Sequence, residues 1–215
     1  MLHLNKVQLR LFLWFGLVLV LAFLMVVLPV FRKRVEAGRI LNEVRNERWS
    51  SVNFEKAREI SERYGGHPGI FGRDNASCAA SSCRFDIAVS NFPMDYLHLA
   101  PKTGFYVSIH LQNNRVTTIS SDLLSTIIGG SPPQPAPLGA TVVEDIGETG
   151  ISAPGFRSAV STDRVAGAST INVALNASAT AAERRTAYDF NLSCLTKLGG
   201  CKYAGDFLPR AMGGR

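Results

Sequence analysis

The sequence predicts an α+β protein, with a single N-terminal transmembrane helix followed by an antiparallel-sheet domain flanked by short helices. Three observations carry this expectation. Residues 11–31 form an unbroken uncharged run, period-two alternation recurs after Cys83, and amphipathic helical segments stand on either side of the alternating ones.

The run from Leu11 to Phe31 holds 21 residues, of which 16 are Leu, Val or Phe. As a helix it measures about 31 Å, which matches the hydrocarbon thickness of a bilayer. At roughly −0.3 to −0.6 kcal/mol for each of those side chains, insertion is favoured by about 5–10 kcal/mol, of which Gly16 and Pro29 take back a part. A cleaved signal peptide has only about 7–15 apolar residues followed by a small-residue site. Here the nearest such site, Val35-Glu36-Ala37, sits directly behind Arg32-Lys33-Arg34, so an uncleaved anchor is expected. A helix entering an antiparallel sheet is also the pilin plan. Pilins carry a basic residue before the cleavage-site glycine and a glutamate shortly after it. Phe15 precedes Gly16 here and Leu21 stands at the glutamate position, so the pilin reading is rejected.

The formal charge of +6 is unevenly spread. Residues 1–39 hold six basic side chains and one acid, whereas the remainder holds 17 basic and 16 acidic ones. The basicity flanks the apolar run, where it meets anionic headgroups. No basic stripe with interleaved aromatics follows, so the expected partners are the lipid bilayer through residues 11–31 and another protein, with no nucleic acid. Two orientation signals conflict. Arg32, Lys33, Arg34, Arg39, Arg45 and Arg48 follow the run closely and draw the C-terminal part toward the cytoplasm. The cysteines, in two close pairs, suit an oxidising extracytoplasmic compartment, periplasmic or extracellular, and that side is preferred. The N-x-S sequons at Asn75, Asn176 and Asn191 are no more than chance supplies and do not decide the matter.

The expected organisation is a short tail (1–10), the anchor (11–31), a basic juxtamembrane helix (32–49), an α+β domain (50–209) and a flexible tail (210–215). In the juxtamembrane segment Ala37, Ile40, Leu41 and Val44 fall on one helical face, continuous with the anchor or bent near Pro29. Asn53 is the N-cap of a second helix whose Phe54, Ala57, Ile60 and Tyr64 share a face, and Gly65-Gly66 and Pro68 stop it. Phe85, Ile87 and Val89 alternate with Asp86, Ala88 and Ser90 as a strand. Phe105 to Ile119 reads as a hairpin turning at Asn113-Asn114, residues that tolerate positive φ.

Residues 129–138 carry four prolines and are expected to be a loop or linker. Strands follow at 141–146, 156–160 and 170–175. Thr180-Ala181-Ala182-Glu183 is a capping box that opens a last helix, closed by Gly199-Gly200.

The disulfide candidates are Cys78, Cys83, Cys194 and Cys201, and spacing leaves all three pairings open. A bridge between sequence neighbours contributes about 2 kcal/mol in the chain-entropy model, and a cross-connection nearer 5. Their spacings suit neither a redox C-x-x-C motif nor the usual zinc sites.

Phosphate-binding, esterase-elbow, zinc-protease and EF-hand motifs are lacking. No catalytic, cofactor-binding or metal residue is assigned, and no cofactor is expected. Glu144, Asp145 and Glu148 are expected in a solvated loop. The favoured function is a single-pass membrane protein whose non-catalytic envelope domain serves protein interaction or assembly. One alternative is a membrane-tethered enzyme using His98 and His110 with a nearby carboxylate. Another is a ligand-binding ectodomain, which has no motif behind it.

Overall fold

A computed structural model describes residues 6–68, 78, 81–129, 134–147, 157–162 and 169–210. The fold is α+β. A helix of 41 residues, α1 (Lys6–Asn46), continues through Pro29 at the loss of one backbone hydrogen bond there. The anchor and the juxtamembrane segment are therefore one element. Its first half is largely bare: from Leu11 to Met25, and again at Leu28, the large apolar side chains are 41–79% exposed. By length and composition this helix is able to cross a membrane. Its second half enters the domain core, with Ala37, Ile40, Leu41 and Val44 buried as their spacing predicts.

After a 3-10 turn at Trp49–Ser51 comes α2 (Phe54–Arg63), whose N-cap Asn53 accepts a hydrogen bond from the Lys56 amide at 2.9 Å. The strands are β1 (His67–Pro68), β2 (Ser82–Ser90), β3 (Thr103–Gln112), β4 (Arg115–Gly129), β5 (Gln134–Asp145), β6 (Arg157–Thr162) and β7 (Ser169–Asn176). The short helix α3 (Phe92–Tyr96) lies between β2 and β3, and α4 (Ala181–Ala187) and α5 (Ala204–Phe207) follow β7. One sheet contains all the strands, in the order β1-β2-β3-β4-β5-β7-β6. Every pairing is antiparallel except β5 with β7.

The Asn113-Asn114 turn is as expected, with φ of 51° and 63°. Phe85, Ile87 and Val89 meet Ile109, Val107 and Phe105 in register, and Ile119 and Leu123 continue the same face. Ala140, Val142, Ile171 and Val173 extend it across β5 and β7. All the helices that join the core cluster lie on this apolar face.

Several segments depart from the sequence expectation. Gln134–Leu138, expected in a loop or linker, belongs to β5 and pairs with Gly129–Ser125. Pro135 and Pro137 are tolerated because β7 joins β5 only from Gly139 onward, so among the described residues no ladder meets the outer edge of β5 at the prolines. The last helix keeps its capping box, with Glu183 N donating to Thr180 Oγ1 at 3.2 Å and Thr180 N to Glu183 Oε2 at 2.8 Å. It stops at Ala187, however, and a separate 3-10 turn covers Leu192–Leu195. Asn191 explains the break. Its side chain accepts from Ser193 N at 3.2 Å and donates to Asp206 O at 2.9 Å, a local alternative to helical bonding. Finally, Glu144 is a strand residue and buried, not part of a solvated loop. Of the tails expected at 1–10 and 210–215, residues 6–10 belong to α1 instead, because the helix starts at Lys6; residues 1–5, 211–215 and Glu148 lie outside the described residues.

The strands run alongside the second half of α1. At one end Val30 packs on Met94 and Ala100, just before β3 begins. At the other, Asn114 Oδ1 accepts from Phe54 N at 3.0 Å. The ten residues of β3 span about 33 Å, somewhat more than the roughly 26 Å of helix from Val30 to Asn46.

The two halves of α1 should respond differently to mutation. Ile40→Ala is expected to cost about 2–5 kcal/mol of domain stability, whereas Leu19→Ala leaves it unchanged. Denaturant unfolding of the detergent-solubilised protein, followed by the signal of buried Trp49, measures both.

Candidate functional site on the polar sheet face

The strand residues that alternate with the core positions point to the other side of the sheet, and among the described residues no helix crosses it. The register aligns them in rows. One row runs Arg84, His110, Thr118, Asp145, Asn176; the next begins Asp86, Ser108, Ser120; a third runs Tyr106, Asp122, Thr141, Asn172. Most are half-buried by one another.

Two carboxylates organise this face. Arg84 Nε donates to Asp86 Oδ1 at 2.7 Å, and Ser108 Oγ donates to the same oxygen at 2.6 Å. Arg84 Nη2 closes the triangle on Ser108 Oγ at 2.9 Å. The Asp86 side chain is only 8% exposed, and its Oδ2 is buried without a hydrogen-bond partner. One strand-pair further, Asp122 accepts from Thr141 Oγ1 at 2.6 Å and from Ser120 Oγ at 2.9 Å. Burial raises the Asp122 carboxyl above its ordinary value, and the two hydroxyls only partly offset this. Burial, helped by Arg84, lowers His110, while Asp86 pulls the other way. The imidazole is therefore neutral at pH 7, with one nitrogen donor and one acceptor.

His98 and His110 are not brought together. His98 sits in the turn after α3 with φ of 55°, and His110 lies seven residues into β3, about 23 Å beyond the start of the strand. The carboxylate near His110 is Asp86. Among the described residues no group of three or more His, Cys, Asp or Glu is placed to hold a metal ion.

Other acidic residues, Glu144 and Asp145 from the sequence reading and Glu43 besides, fasten the fold. Glu144 Oε2 accepts from Arg184 Nη2 at 2.9 Å and from Tyr188 OH at 3.0 Å, tying α4 to β5 through the core face. Burial and the Glu144 charge push the Tyr188 hydroxyl well above its ordinary range, so it stays a donor. Asp145 Oδ1 accepts from the Gly147 amide at 3.1 Å. Glu43 links α1 to α2, accepting from Arg63 Nη1 at 2.9 Å and Tyr64 OH at 2.6 Å.

Cys78 and Cys83 lie at disulfide distance with Cα atoms 4.5 Å apart, as do Cys194 and Cys201 at 5.3 Å. Of the three pairings open in sequence, the structure adopts the one between neighbours. Gly199 and Gly200, with φ of 72° and 70°, make the reversal that returns Cys201 to Cys194.

Arg84, Asp86 and Asp122 were not singled out in sequence. The signal for the first two was present, since they occupy the polar half of the Phe85–Val89 alternation. Together, the fold and this face define an α+β domain carried on a single apolar helix, with a hydroxyl- and carboxylate-lined sheet surface. No protein-family model, curated protein or solved structure matches the chain.

Because burial raises Asp122, the folded state holds a proton that the unfolded chain releases above 3.8. This residue's contribution to stability is full below that pH and is lost as pH rises through the folded-state pKa. Asp122→Asn, which keeps an acceptor for Thr141, is expected to raise the urea midpoint at pH 7 and flatten its pH dependence. Urea titrations between acid and neutral pH check both effects.

Proposed function

We propose that the protein is a single-pass membrane protein whose domain stands on the extracytoplasmic side and serves interaction or assembly with another protein, not catalysis. The observation that carries this reading is the division of α1. Its exposed apolar half has the length and composition of a bilayer span, and its buried half is core, so the domain is built directly onto its anchor.

Two further features support the reading. Both cysteine pairs are at disulfide distance, which suits an oxidising compartment, although the basic flank of the span favours the opposite side. The polar sheet face offers hydroxyls, carboxylates and a guanidinium spread over several strands, a layout suited to a broad surface more than to a small enclosed substrate. Shallow grooves also run along α1. One of about 400 Å³ is lined by residues such as Gly38 and Arg45, and another of about 370 Å³ by residues such as Glu43 and Tyr64. Both are open, and the second is the more polar.

Labelling of intact cells with a membrane-impermeant thiol reagent tests the compartment. Modification is expected only after reduction with an external reductant; thiols free without reductant and shielded by the membrane would overturn the assignment. Photo-crosslinking residues at Thr118 and Val143 test the interaction. A discrete adduct with another protein is expected from these positions and not from Glu55 on the outer side of α2. No adduct from any position on the polar face would sink the interaction reading.

A further inference from the structure

We infer that the end of the domain from which α1 emerges is seated in the headgroup layer of the membrane that holds the helix, so that lipid is the partner of a second, non-helical surface. The inference rests on the anchor reading and adds a docked orientation to it.

At that end the fold displays large apolar side chains that it does not use. Phe92 is 64% exposed, Tyr96 71%, Leu97 44%, Leu99 43% and Leu198 69%. They come from two segments far apart in sequence that the fold holds together. Gly199 N donates to Leu99 O at 2.9 Å, and Gly200 is packed so closely on Pro101 that a Cβ there would lie 2.8 Å from its ring. The Phe92 and Tyr96 rings lie side by side, 5.9 Å between centroids. An apolar cluster contributed by two independent segments is not the scattered exposure that any surface shows.

The position of the rim along α1 identifies its occupant. Val30, in the last turn of the apolar run, packs on Met94 and Ala100, inside the same turn that carries the exposed side chains. Four residues later along α1, Arg34 Nη1 reaches Thr196 Oγ1 at 3.5 Å, two residues before Leu198. When Leu11–Phe31 fills the hydrocarbon layer, this rim is therefore level with the boundary between acyl chains and headgroups.

The chemistry fits that boundary. Aromatic rings with a polar tip and isolated leucines are the side chains that settle there, typically about 5–10 Å deep. Exposed Arg32, Lys33, Lys102 and Lys197 stand among them, with Asp95 the nearby acid in the α3 turn and Glu36 already paired to Lys33 at 2.7 Å. The balance favours anionic headgroups. A soluble partner would have to reach this rim through the headgroup layer, whereas lipid is in place once the helix inserts.

The test uses the full chain in vesicles of phosphatidylcholine and phosphatidylglycerol with bromine near the glycerol end of the acyl chains, which quenches tryptophan by contact. Trp14, near one end of the span, reports on the anchor, and buried Trp49, at the far end of the domain, is the unquenched background. On a Trp14→Phe background, Leu97→Trp and Leu198→Trp place reporters in the rim, and Arg115→Trp places one beside the distant hairpin turn. All three positions are exposed, so folding is not at stake. The expected result is a loss of roughly half the emission of the two rim reporters, with no loss at position 115. Quenching of Trp14 without quenching at 97 or 198 would leave the anchor standing and overturn the docked orientation. Absence of quenching at Trp14 itself would overturn the anchor and with it this inference. Rim reporters that stay unquenched while the chain crosslinks to itself through position 97 would assign the surface to a second copy instead.

Discussion

The rest of this structure depends on one helix whose two halves meet different surroundings. The first half of α1 carries its apolar side chains bare of the domain, and the second half turns a single face inward to the sheet. Both demands fall on one unbroken backbone with no flexible linker between them. A rigid connection of this kind turns the placement of the helix into the placement of the domain. The strands run beside the helix, and the polar sheet face takes its direction from the same axis.

The elements that cover the sheet are held by a few polar contacts, most of them buried or partly buried, on an otherwise apolar surface. Glu144 receives Arg184 and Tyr188 from the end of the chain, Glu43 receives Arg63 and Tyr64 from α2, and the Trp49 indole donates to Val44 O at 2.8 Å. Asn91 does the same at the sheet end, accepting from Thr103 N at 2.8 Å and donating to Pro101 O at 3.1 Å. Hydrophobic contact fixes that a helix packs on the sheet, and these directional bonds fix where. Removing one partner leaves a buried charge or amide without its match, which costs far more than the net worth of the bond.

The parts legible in sequence were those in which local chemistry and final environment agree. The Asn53 cap, the Asn113-Asn114 turn, the Thr180 capping box and the alternation of β2 and β3 each depend on neighbours within a few residues. What escaped depends on residues far away. Leu123–Ile128 carries no clean alternation, yet β3 and β5 on either side draw it into β4. Pro135 and Pro137 argue against a strand until it is known that β7 does not reach β5 at that point. Glu144 beside Asp145 resembles a solvated acidic pair, and only Arg184, 40 residues on, makes its burial tolerable. Of the candidate site, the residue types were visible but their assembly into rows was not, because cross-strand register is set by the whole sheet.

The order of strands at the far edge has a consequence for how the chain assembles. β7 is inserted between β5 and β6, although β6 precedes it in sequence. The meander from β2 to β5 closes by successive neighbours and is complete by residue 145, whereas β6 has no strand to pair with until β7 exists. During synthesis the edge of β5 thus stays uncovered while the chain extends through β6, and it is sealed when the segment around Ile171–Leu175 arrives. That single late insertion is a parallel and non-local pairing, a kind that is slow to form. It is also the stage at which an exposed edge is open to capture by another chain. The prolines at the start of β5 lie on the stretch of that edge which β7 never covers, where a missing donor keeps foreign strands from joining the sheet.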